Sequence, residues 1–90
     1  MKKENIEKKV SEKLVYACHM ADRIYLMVGR HELTSLEANK KLCEIKDDIV
    51  IIDTKSISDE LIKLKIASVN LINSYIRSVG WEYEKLDNNN

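Results

Sequence analysis

The stretch from Leu14 to Val28, LVYACHMADRIYLMV, is apolar around most of a helical circumference. Only His19, Asp22 and Arg23 are strongly polar within it, and helical spacing gathers them on one narrow side. A surface helix of a small monomer needs one apolar stripe, whereas a helix apolar on most sides must be covered from several directions. The expected product is a small helical bundle with more apolar surface than it can bury alone. That surplus calls for a partner, either a second copy or another protein.

The length of the chain sharpens this expectation. Ninety residues allow one domain, and a chain this short buries only roughly 60% of its unfolded surface. Metals, disulfides or oligomerisation commonly supply the missing stability. The two cysteines, Cys18 and Cys43, show no CxxC or repeated metal spacing. The start, MKKENIEKKVSEK, has no apolar segment behind it of the kind a secretory signal needs. A reducing, cytoplasmic setting with both thiols free is therefore expected, which leaves oligomerisation as the remaining source of help.

Charge narrows the partners. Fifteen basic and fifteen acidic residues cancel, whereas nucleic-acid binders usually carry a basic excess or stripe. Lys2, Lys3, Lys8 and Lys9 are interleaved with Glu4, Glu7 and Glu12 and read as a solvated face. No apolar run approaches the ~20 residues of a membrane span. Neither nucleic acid nor membrane is the expected partner.

There is no proline, and glycine occurs only at Gly29 and Gly80. Few breakers favour long helices. The first is expected from Glu4 to Val28, with Val10, Leu14, Ala17, Ala21, Ile24 and Val28 recurring at three- and four-residue steps. Ile6 extends this seam backward, and Val15, Cys18, Tyr25 and Leu26 widen it. Gly29 suits the left-handed position that ends a helix. A second helix should begin near Thr34, where Thr34-Ser35-Leu36-Glu37 fits a capping box. Leu36, Leu42, Ile45, Ile49 and Ile52 form its stripe. The β-branched run Ile49–Asp53 could be a strand, but no second run exists to pair with it, so it is read as a helix end.

A third helix should follow DTKSIS, capped by Ser56 or Ser58, with Asp59 and Glu60 favourable in its first turn. Leu61, Leu64, Ile72, Tyr75 and Val79 share one line with Ser68 as its polar step, beside a second line of Ile62, Ile66, Val69 and Ile76. The helix ends near Gly80 or continues through Trp81 and Tyr83. Short connections favour antiparallel neighbours. The expected architecture is an all-α, up-down-up three-helix bundle that self-associates, with long first and third helices. Residues 1–86 form the single domain and 87–90 a disordered polar tail.

Catalytic and metal chemistry find little support. His19, His31, Cys18, Cys43 and Asp22 are the only metal-ligand set, and adjacent Cys18 and His19 point about 100° apart on a helix. Zinc needs three or four converging ligands. A cysteine nucleophile needs a base and an oxyanion hole, and two isolated glycines make no phosphate loop. The carboxylate pairs Asp47-Asp48 and Asp59-Glu60 read as solubilising decoration. No cofactor, metal or enzymatic activity is expected.

Two functional readings remain. In the alternative one, the segment after Thr34 enters a DNA major groove as in a helix-turn-helix, using Thr34, Ser35, Asn39, Lys40 and Lys41. Against it stand the length of the first helix, the turn HELT and the neutral charge. In the favoured one, the chain is a regulator, adaptor or inhibitor that works through apolar helix faces. There is no phenylalanine, and the aromatic set is Tyr16, Tyr25, Tyr75, Trp81 and Tyr83, amphipathic residues suited to interfaces. The candidate contact residues are Tyr16, Met20, Tyr25, Met27, Ile62, Ile66, Val69, Ile76, Trp81 and Tyr83. Trp81 either contacts a partner or folds back over the bundle end.

The segment Leu71–Tyr75, LINSY, resembles part of the helical hairpin phosphatases that act on sporulation response regulators. Their Ser-Gln-Glu-Leu-Asp signature has its nearest counterpart in Ser58-Asp59-Glu60-Leu61, which lies too far upstream, so no residue role is carried over. The lysine- and asparagine-rich, helix-only composition is similar to accessory proteins of low-GC bacteria and their phages, which implies a phage or mobile-element origin.

Overall fold

The structure, a computed structural model, describes residues 2–88, with side chains from Asn5 to Gly80. Three helices pack on one another: α1 over Lys2–Gly29, α2 over Ser35–Val50 and α3 over Asp59–Asn88. A single 3-10 turn, Thr54–Ser56, precedes α3, and there is no strand among the described residues. Residue pairings give the direction of each helix. Cys18 meets Ser68, Asp22 meets Tyr75 and Tyr25 meets Ser78, so α1 and α3 ascend together. Lys65 reaches the carbonyls of Val50 and Ile52, while Gly80 lies beside Asn39, so α2 descends along α3. The bundle is up-down-up, a rod of 56 × 20 × 16 Å.

The core follows the seam of α1. Leu14, Ala17, Ala21 and Ile24 are buried against Ala38, Leu42 and Ile49 of α2 and Ile72 and Val79 of α3. Val10 and Val28 are half-buried at the two ends. The polar step Ser68 is also buried, its hydroxyl donating to the Leu64 carbonyl one turn back at 2.7 Å and so satisfying itself. Leu36, expected in the stripe of α2, is instead exposed. Six residues before Leu42, it stands about a third of a turn away from the core line. Ala38 takes the buried place.

The helix ends show where local chemistry acts. Gly29 is the last residue of α1 and no glycine has a positive φ; the left-handed residue is His31, at φ 62°. The His31 amide donates to the Val28 carbonyl at 3.0 Å and the Glu32 amide to Met27 at 2.8 Å. These are the two bonds of a Schellman motif with His31, not Gly29, in the position beyond the C-cap. Thr34 caps α2, its hydroxyl accepting from the Glu37 amide at 3.1 Å. Of the capping box only this half is formed.

The run Ile49–Asp53 divides. Ile49 and Val50 finish α2, Ile51 is its C-cap, and Ile52–Asp53 turn away. The Lys65 ammonium donates to the Val50 and Ile52 carbonyls at 2.8 and 2.9 Å, closing the negative end of α2 from α3. Asp53 caps the 3-10 turn through the Lys55 amide, and Ser58, the second of the two expected caps, receives the Leu61 amide of α3. α3 then runs on through Gly80 to Asn88. Asp87 and Asn88, expected in the polar tail, are thus helical, while Asn89 and Asn90 lie outside the described residues.

Candidate functional site

The two sides of α1 are built differently. Toward α3 it carries a polar seam. The Cys18 thiol donates to the Ser68 hydroxyl at 3.3 Å, the Tyr75 hydroxyl donates to the Asp22 carboxylate, and the Tyr25 and Ser78 hydroxyls lie 3.1 Å apart. The Tyr25 and Tyr75 rings stack with centroids 4.6 Å apart and planes 19° from parallel. The hydrogen bond to the Asp22 carboxylate, together with burial and the nearby negative charge, pushes the Tyr75 hydroxyl up to about 12. Each of these polar groups has a partner within the chain, although Tyr25 stays 38% exposed.

Toward α2 the molecule is open. A groove of about 530 Å³ runs between the helices, floored by Met20, Ile24, Met27, Leu33 and Ile45. A second hollow of about 200 Å³ continues it past Tyr16, Ala17 and Ile49, sharing Met20 and Ile45 with the first. Tyr16 stands 65% exposed at its edge. Lys13 and Arg23 rim the groove from α1; Lys41, Glu44 and Asp48 rim it from α2. Among the described residues the one ion pair is Arg30 with Glu32 at 3.9 Å, so none of these rim charges forms an ion pair with another described residue.

The expected contact residues thus fall into separate groups. Tyr16, Met20 and Met27 share the α1–α2 groove. Tyr25 belongs to the polar seam and is only partly exposed. Val69 and Ile76 pack half-buried against the bundle's own core, Ile62 is half-buried, and Ile66 projects at 55% exposure. The side chains of Trp81 and Tyr83 lie outside the described residues. Beyond the groove, Val15 and Leu26 are exposed on the outer side of α1, and Ile51 is 77% exposed at the end of α2.

Sequence reasoning missed Leu33 and Ile45 as groove residues, and missed the rim charges. Ile45 was legible as part of the α2 stripe, but only packing decides that it lies at the edge of the core rather than within it. The rim had a faint signal, since Glu44 and Asp48 lie one turn apart on one helix row.

The proposed groove-reading set for DNA does not share one face. Thr34 is consumed as a cap, Ser35 is half-buried, and Asn39 turns to α3, accepting from the Cys43 thiol at 3.5 Å and lying beside Gly80. Lys40 and Lys41 are exposed. α2 lies antiparallel along α1, whereas a helix-turn-helix crosses at roughly 90–120°. No cluster of three or more His, Cys, Asp or Glu suited to a metal occurs among the described residues. Nor is any helix among them long and apolar enough to cross a membrane.

Compared with known proteins, the chain matches no family model, no curated protein and no solved structure.

Proposed function

We propose that this chain is a non-catalytic cytoplasmic protein, a regulator, adaptor or inhibitor, that acts by binding another polypeptide along the groove between α1 and α2. The supporting observation is the open, methionine-floored cleft with charges on both rims that form no ion pair among the described residues. Methionine is flexible and polarisable, which suits a surface that must mould to a partner. An amphipathic helix lying in such a groove is a recurrent mode of recognition.

The test is paired affinity capture, with the native chain and a Met20→Glu/Met27→Glu variant as baits and a differently tagged copy of the chain present. The variant is first shown to be folded by circular dichroism. A polypeptide retained by the native chain and lost with the variant is the expected outcome. Identical retention by the two baits would remove the groove from consideration.

A further inference from the structure

We infer that the α1–α2 groove is closed by a second copy of this chain, placed by a two-fold axis parallel to the helices. This rests on the groove being an interaction face and specifies the occupant.

The argument is one of charge and symmetry. Lys13 and Arg23 line the α1 edge, and Glu44 and Asp48 line the α2 edge. Arg23, Lys41 and Glu44 line one hollow of the groove, and Lys13 and Asp48 line the other. Two copies facing each other can be related by an axis along the helices or by one across them. An axis across the helices lays α1 on α1 and α2 on α2, which sets like charges against like. An axis along them lays the α1 of one copy over the α2 of the other and keeps every level unchanged. Arg23 then meets Glu44 of the other copy, and Lys13 meets Asp48, each twice by symmetry. The exceptions are Lys41 on the α2 edge, one turn from Glu44, and Glu12, exposed one turn before Tyr16 on α1.

The same axis satisfies packing. The four central helices alternate up and down around the square, so every neighbour is antiparallel, as in a four-helix bundle. Met20 and Ile45, shared by both hollows, come to the middle of the new core, and Tyr16 becomes covered. The rim pairs select this arrangement over its alternatives, and the apolar floor supplies the affinity.

Sedimentation equilibrium of the full chain from low micromolar to millimolar concentration tests the pairing. The native chain is expected to be a dimer. Arg23→Glu alone and Glu44→Arg alone should each weaken it by about tenfold or more, because attraction becomes repulsion at two symmetric sites. Mixing the two variants should restore pairing as a heterodimer. A native chain that stays monomeric throughout would overturn the inference while leaving a foreign occupant to the capture experiment. A dimer indifferent to both variants, or not rescued by mixing, would assign pairing to another face and overturn it equally.

Discussion

The two flanks of α1 draw on one helix yet end differently. Its α3 flank pairs Cys18, Asp22 and Tyr25 with Ser68, Tyr75 and Ser78. Its α2 flank leaves Met20 and Met27 half-buried and Tyr16 exposed in an open groove rimmed by lysine, arginine and carboxylate side chains. Directional bonds specify a register: sliding α3 by one turn would separate all three pairs at once. Methionines in a groove specify little beyond apolar contact. The polar seam therefore fixes how α3 sits on α1, while the open face carries no such directional constraint.

This contrast can be broken by substitution. Leu14 is fully buried in the core that both flanks share. Leu14→Ala should cost about 2–5 kcal/mol in denaturant titration, and a loss near zero would mean that the core is not where the structure puts it. Next in size is Tyr75→Phe, which keeps the ring for stacking and removes the bond to Asp22. A loss of about 1.5 kcal/mol is expected, the low end for a bond to a charged group because the released carboxylate can regain water.

The same variant carries a pH signature. The Tyr75 hydroxyl is raised from 10.0 to about 12 in the folded chain. Its contribution is therefore complete below pH 10 and is lost as pH rises toward 12, where the unfolded chain has released this proton and the folded one still holds it. The native chain should lose stability through that window more steeply than Tyr75→Phe does, read as the difference between their unfolding midpoints. Parallel curves would separate the seam from Tyr75.

Gly29→Ala sharpens the geometry of the turn that sets α2 against α1. Gly29 is helical, lacks a positive φ and has open space where a Cβ would stand. Alanine should raise stability by about 0.5–1 kcal/mol, whereas a left-handed Gly29 would make the change destabilising. The smallest effect is expected on the open flank. Met20→Gln preserves helix propensity and should change the stability of the dilute monomer by only about 0.5 kcal/mol. Its consequence should show instead in association, and a large loss in dilute solution would make the groove part of the core.

How far the sequence could be read follows from the range of the forces involved. The periodicity of Leu14, Ala17, Ala21 and Ile24 named the buried face of α1, and Thr34 and the pair Ser56 or Ser58 marked two helix starts, of which the structure uses Ser58 for α3, because seams and caps are local. The candidate site was only partly legible. Tyr16, Met20 and Met27 share the groove, yet Tyr25, Val69 and Ile76 looked equally available and are engaged within the chain. Apolar residue type is the same on both sides of that division, and only packing tells them apart.

The sequence by itself determined that there would be three helices, where their greasy lines run, and that no strand could pair within Ile49–Asp53. Hydrophobic period and capping chemistry act over a few residues and need no knowledge of the rest of the chain. Only the tertiary structure decided that His31 takes the left-handed turn, that Lys65 closes α2 from another helix, and that Asp22 finds Tyr75 fifty-three positions away. Those choices depend on the lateral placement and register of one helix against the next, which an isolated helical pattern leaves free.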